Sequence, residues 1–172
     1  MVLWETPQRH ARFYTQPGDE DGQAEFDVLL LVRPPTPMLL FTVRSKGLDV
    51  HFQPALTPAE RAEGVHRPAA VVGSYAAYHQ TRRHNRTGGN AYRTGKAFHL
   101  YRPEATDAIG NRAWCDLTVD LAAEQATILI PPAFLASAIY PVRIDPTFGY
   151  TTIGGTATTM ENVCRASWQT AP

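Results

Sequence analysis

The sequence predicts an all-β protein: an antiparallel two-sheet β-sandwich, Greek-key or jelly-roll-like in order, with one short helix. Three observations carry the prediction. Apolar and polar residues alternate with a period of two in most apolar segments, the spacing of a strand with one buried face. Fourteen prolines and twelve glycines among 172 residues interrupt the chain too often for long helices. At least eight strand-like runs are separated by turn signals every eight to twelve residues, as in β-sandwiches. A 19.0 kDa chain buries ~70% of its unfolded surface, so it needs neither metal nor disulfide to fold.

Residues 1–25 hold scattered aromatics (Trp4, Phe13, Tyr14) and an acidic turn, Asp19-Glu20-Asp21-Gly22, which read as a leading hairpin or arm. The sandwich domain is expected over 26–150. Phe26–Arg33 and Met38–Arg44 are apolar, β-branched and aromatic strands. Pro34, Pro35 and Pro37 end the first of them, because proline has no N–H to give a ladder. After a turn at Lys46-Gly47, Leu48–Gln53 alternates, with Leu48, Val50 and Phe52 on one face and Asp49, His51 and Gln53 on the other. Thr57-Pro58-Ala59-Glu60 fits a capping box with proline at the first helical position, and Gly64 stops the helix, which spans 58–63.

Val71–His79 reads as a strand with a bulge at Gly73, and 80–95, rich in Arg, Asn, Thr and Gly, as an exposed loop. Lys96–Arg102, a turn over Asp107–Asn111, Ala113–Val119 and Ala126–Ile130 follow. A helical turn at Pro132–Ser137 precedes a strand at Ala138–Ile144, in which Pro141 marks an edge or a bulge. Residues 147–172 are rich in Thr and Gly until Val163–Gln169, a last strand. Residues 151–172 thus form an arm or strand toward a neighbouring domain or subunit; it either pairs back or belongs to a fragment of something longer.

The phrases KAFHLYRP, ATDAIGN and TILIPPAFLASAIYPVRIDPT, within Lys96–Thr147, resemble a β-rich module of large bacterial surface and secreted proteins, including wall-associated and YD-repeat proteins. There a "YPV-IDPT" phrase closes the module. KGLDVHFQPALTPAE, HRPAAVVGSYAAYH and TGKAFHLYRP are similar to uncharacterised proteins of phage and metagenomic origin. The resemblance covers roughly residues 40–152 and implies a non-catalytic building block of an extracellular or virion-associated protein. It carries over no catalytic residue. In physical terms its closing residues are scaffolding: Tyr140-Pro141 starts a strand, and Asp145-Pro146-Thr147 turns the chain out of it.

Sixteen basic side chains balance sixteen acidic ones, which argues against general nucleic-acid or anionic-membrane binding. The longest apolar run, Val28–Val32, is far too short to span a bilayer, and no signal peptide opens the chain. Cys115 and Cys164 either bridge in an oxidising compartment or stay free, and a reactive thiol is the least expected outcome.

Six histidines invite a metal reading, and His51 and His99 would converge with Asp49 on one sheet face, but no metal-ligand spacing occurs. Glu104, Asp107, Asp116 and Asp120 sit at hairpin turns, where such residues are expected without catalysis. Ser74 and Ser137 lack a nucleophile elbow, and Gly88-Gly89 lacks the lysine of a phosphate loop. The charge order says more. Arg67, Arg82, Arg83, Arg86, Arg93, Lys96 and Arg102 occupy a stretch without any acid, while five acids crowd into Asp19–Asp27. Such segregation suits head-to-tail contacts between subunits.

The expectation is therefore a non-enzymatic structural or assembly module of a phage virion or other extracellular assembly, without cofactor, in the virion or at the cell surface. Arg82, Arg83, Arg86, Tyr92 and Arg93 would face identical subunits or neighbouring domains, with no specific nucleic acid and no membrane as partner. The alternative is a carbohydrate-binding module of a cell-surface or tail-associated protein, in which Tyr92 or Trp114 stacks on a sugar.

Overall fold

The computed structural model describes residues 2–15, 24–81, 85–87, 90–92 and 96–149. Val163–Gln169 and Cys164, and with them the expected terminal strand and disulfide, lie outside the described residues. In chain order the elements are β1 (Val2–Glu5), β2 (Arg9–Thr15), β3 (Ala24–Leu30), β4 (Met38–Thr42), β5 (Leu48–Gln53), α1 (Pro58–Ala62), β6 (Ser74–His79), β7 (Asn85–Thr87) and β8 (Asn90–Tyr92). Then come β9 (Lys96–Leu100), β10 (Glu104–Thr106), β11 (Arg112–Trp114), β12 (Asp116–Asp120), β13 (Gln125–Leu129), α2 (Pro132–Ser137), β14 (Val142–Asp145) and β15 (Thr147–Gly149). Among the described residues the protein is mostly β, with three antiparallel sheets.

β3 is the hub of the large sheet. One of its sides pairs with β2 from Arg9↔Leu30 to Thr15↔Ala24, so the β1–β2 hairpin is continuous with the sheet. Its other side pairs first with β15 and then with β14. The next position is shared by β9, which pairs β15, and β10, which pairs β14. From there the sheet forks, to β11 beyond β10 and to β6 and β5 beyond β9. The small sheet has the order β12-β13-β4, and β7 pairs β8.

The fork follows from two prolines. Continuing the Glu104↔Asp145 register by one residue sets Pro103 opposite Pro146, and neither has an N–H to donate. Both are buried. Arg102 fills the gap: its amide donates to Ala70 O at 2.9 Å and its Nε to Cys115 O at 3.0 Å. Its stem lies against Gly73, where a Cβ would stand 3.3 Å from Arg102 Cδ and where φ is +80°. Glycine meets both demands there.

The core is the alternating faces of both sheets. Leu39, Leu117 and Ile128 from the small sheet share one buried cluster with Val28, Leu30, Ala105, Val142 and Ile144 from the large one. Leu135 of α2 joins them.

Several expectations are corrected. The described residues hold two short helices, not one: α2 forms where a helical turn was expected, with Pro132 preset for its first turn and Leu135 buried. α1 has the expected capping box, Thr57 Oγ1 accepting from the Glu60 amide at 3.2 Å and Glu60 Oε2 from the Thr57 amide at 2.7 Å. Gly73 closes a turn instead of a bulge; the register shift falls at Ala77/Tyr78. Ala113–Val119 is not one strand, because at Cys115 the chain passes from the large sheet to the small one. Pro141 precedes β14, which lies inside the sheet and not at its edge. Asp145-Pro146-Thr147 does not lead the chain out, since β15 resumes alongside β3. The expected 80–95 loop contains the antiparallel β7–β8 pair.

Ile144 is fully buried among both sheets' side chains. Ile144→Ala is expected to destabilise the fold by about 2–5 kcal/mol, against less than about 0.5 kcal/mol for the exposed Thr118→Ala, as read from urea unfolding midpoints.

Candidate functional site

Arg82, Arg83 and Arg93 of the expected partner-binding set lie outside the described residues, and Arg86 and Tyr92 fall on β7 and β8, near-opposite in the pair Asn85↔Tyr92, Arg86↔Ala91. Part of the basic run belongs to the fold rather than to a loop. Lys96 and Arg67 are buried, Arg67 donating to Pro54 O, and Arg102 pairs with Asp116 at 3.1 Å. The other candidate acids also have local work. Asp107 accepts from the amides of Ile109, Asn111 and Ile139, and Asp120 from those of Ala122 and Ala123. Burial pushes the Asp107 carboxyl up, but its hydrogen bonds, led by the Asn111 side chain, outweigh that and hold it below the usual value.

His51 and His99 do occupy one row of the sheet, on either side of Ala76, with Asp49 on the same face two residues from His51. No cluster of three metal-ligating side chains occurs among the described residues. His99 instead meets Ser74: Nε2 is 2.6 Å from Oγ, and both residues are fully buried. Ser74 donates its single hydroxyl proton to Val71 O, so His99 Nε2–H is the donor to Ser74 Oγ. That bond is open to either charge state of the ring, but burial, helped by the Lys96 charge, pulls its pKa well below the usual 6.5 and so favours the neutral imidazole. This Ser–His pair ties β6 to β9 and has no open face for a substrate. Cys115 is likewise buried, its thiol pushed up to about 12 by burial, with no thiolate for chemistry at neutral pH.

Three concave surfaces stand out among the described residues. The first is an apolar hollow of about 240 Å³ inside the fold, lined by Phe26, Phe41, Tyr75, Phe98, Leu117 and Phe148 among others. The second, about 450 Å³, runs beside β4. Leu39 and Phe41 from one face of β4 line it together with Leu40 and Thr42 from the other, which is what a groove along a strand's edge requires. Trp4, Arg9, Ala11 and Val28 form its far wall. Trp4 and Leu40 are 56% and 59% exposed, and no strand pairs with this edge among the described residues.

The third is a polar cleft of about 250 Å³ on the face of β11-β10-β14 turned away from the core. Register builds it in two rows, Trp114–Glu104–Asp145 and Arg112–Thr106–Arg143. The row between them, Ala113–Ala105–Ile144, faces the core. Arg112 reaches Glu104 at 3.3 Å and Arg143 reaches Asp145 at 3.8 Å. The Arg102 guanidinium lies over the half-buried Trp114 ring, 5.8 Å from its centroid, a cation–π contact that holds the ring in place. Of the cleft's residues the sequence singles out Trp114, Glu104, Arg102, Asp145 and Thr147, each for a separate reason; their alignment depends on register.

A neutral, buried His99 makes stability pH-dependent. Its folded pKa lies below the unfolded value of 6.5, so the contribution is complete above that pH and is lost as pH falls toward the folded pKa, where unfolding takes up a proton. His51, whose pKa burial lowers against the pull of Asp49, acts in the same direction. Urea unfolding at about pH 7.5 and about pH 5.5 is expected to show a loss to which His99 alone contributes at most about 1.4 kcal/mol per pH unit, and the loss is expected to be smaller in His99→Gln.

No protein-family model, no curated protein and no solved structure matches the chain.

Proposed function

We propose that the chain is a non-enzymatic assembly module, built as a two-sheet antiparallel sandwich and joined to a second copy of itself by strand addition at β4. The shared core of Leu39, Leu117 and Ile128 with Val28, Leu30 and Ile144 supports the sandwich. Neighbours distant in sequence, β14 beside β3 and β15 beside β9, are of the Greek-key kind.

The observation that carries the assembly reading is the groove along the open edge of β4. An unpaired edge presents free backbone donors and acceptors, and soluble proteins usually blunt such edges with charge or proline. Here Met38–Thr42 carries neither, and Met38, Leu40 and Trp4 stand exposed around it. An added strand would gain ladder hydrogen bonds along the edge and bury these side chains on the β1–β2 hairpin. Charge order favours a second copy as its source: Asp19, Glu20, Asp21 and Glu25 crowd one stretch while Arg82, Arg83, Arg86 and Arg93 supply the opposite sign. The place of such an assembly, in the resemblance's terms, is a phage virion or another extracellular structure.

Light scattering over a concentration series is expected to give masses rising above 19.0 kDa. Leu40→Lys, which puts a charge on the exposed edge without touching the core, is expected to return the monomer. A monomer at every concentration, or assembly indifferent to Leu40→Lys, would overturn the reading.

A further inference from the structure

We infer that the cleft on β11-β10-β14 binds a neutral saccharide, a function separate from assembly at β4. Its composition selects the ligand class. A phosphate or sulfate wants donors only, and Glu104 and Asp145, directly opposite each other in register, would repel it. A cation wants acceptors only, and Arg102, Arg112 and Arg143 would repel it. A polyhydroxylated neutral ring wants both kinds at once, beside an apolar face. The cleft has this arrangement, with acceptors in one row, donors in the next, Thr106 able to do either, and Trp114 at the end.

The charged groups are also poised. Two carboxylates side by side on a sheet destabilise each other unless compensated, and here each has its own arginine, Arg112 for Glu104 and Arg143 for Asp145. The carboxylates lie at the floor, 27% exposed, while the guanidiniums reach outward, 67% and 50% exposed. A hydroxyl pair can therefore donate to a carboxylate and accept from the arginine that already orients it, the usual logic of a pre-organised polar site. Arg102 fixes Trp114 from one side and is itself anchored on Cys115 O and Asp116.

The test uses the full chain carrying Trp4→Phe and Trp168→Phe, so that Trp114 is the sole indole reporter. Its fluorescence is followed while neutral oligosaccharides of glucose, galactose, mannose and N-acetylglucosamine are added, with a heparin fragment and choline as the anionic and cationic probes. A neutral oligosaccharide is expected to shift the emission, and Thr106→Val and Glu104→Gln, which keep side-chain size, are each expected to weaken it at least tenfold. No response to any neutral sugar, a response to heparin or choline alone, or binding unchanged in both variants would overturn the inference. Leu40→Lys leaves sugar binding intact if the inference holds, whatever it does to assembly.

Discussion

Pro103 and Pro146, set opposite one another across two neighbouring strands, are the constraint on which the rest of the large sheet depends. Neither can donate to a ladder, so both strands break at one level. Each half then has its own neighbours: β10 and β14 continue toward β11, while β9 and β15 continue toward β6 and β5. The backbone groups released by the break are not left bare. Tyr101 N finds Thr147 O, Arg102 N finds Ala70 O and Cys115 N finds Pro103 O, as burial of the segment demands. Just beyond the break the chain passes at Cys115 into the small sheet, so the fork, the seat of Arg102 and the start of the small sheet lie at one level.

The two sides of the large sheet show how differently one pattern of alternation can be used. On the core side, Val28, Ile144 and Ala105 belong to one buried apolar cluster. On the other side of β6 and β9, Ser74 and His99 are just as buried but polar. Asp27 on β3, also buried, is held by Arg12 at 3.0 Å and Tyr14 at 3.1 Å from β2. Leaving such groups unmade would cost about 1–3 kcal/mol each, so they define partners more narrowly than methyl groups do. Register between strands is fixed by these pairs as well as by the core.

What was legible in the sequence was local. β5 begins and ends where its alternation does, and the capping box at Thr57–Glu60 forms as written. What was illegible depends on pairing between distant segments. Pro146 reads as an exit from a strand, because a lone proline gives no hint that β3 carries the next strand onward. The cleft is illegible for the same reason: RAW, EAT and VRID are ordinary short strands until register aligns Trp114, Glu104 and Asp145. The basic residues outside the expected partner-binding set fared differently again. Arg67, Lys96 and Arg102 were absorbed by burial and pairing, since positive charge alone does not distinguish a solvated arginine from one that bridges a gap.

The two proposed surfaces occupy different strands, the edge of β4 and the outer face of β11-β10-β14, so one need not block the other. Their combination has a physical logic. A cleft of about 250 Å³ is small beside usual ligand sites of about 300–1,000 Å³, and so few contacts give weak binding at a single site. Linking copies converts each further contact with a multivalent surface into an intramolecular event, and avidity can exceed the single-site affinity by about 10²–10⁴ without any new contact. A module that assembles through a backbone edge and reads sugar hydroxyls through a shallow polar face would therefore gain its strength from number. That places the demand for rigidity on the fold rather than on the cleft. The paired prolines, the Arg102 anchor and the Ser74–His99 link supply that rigidity on the large sheet, which carries the cleft.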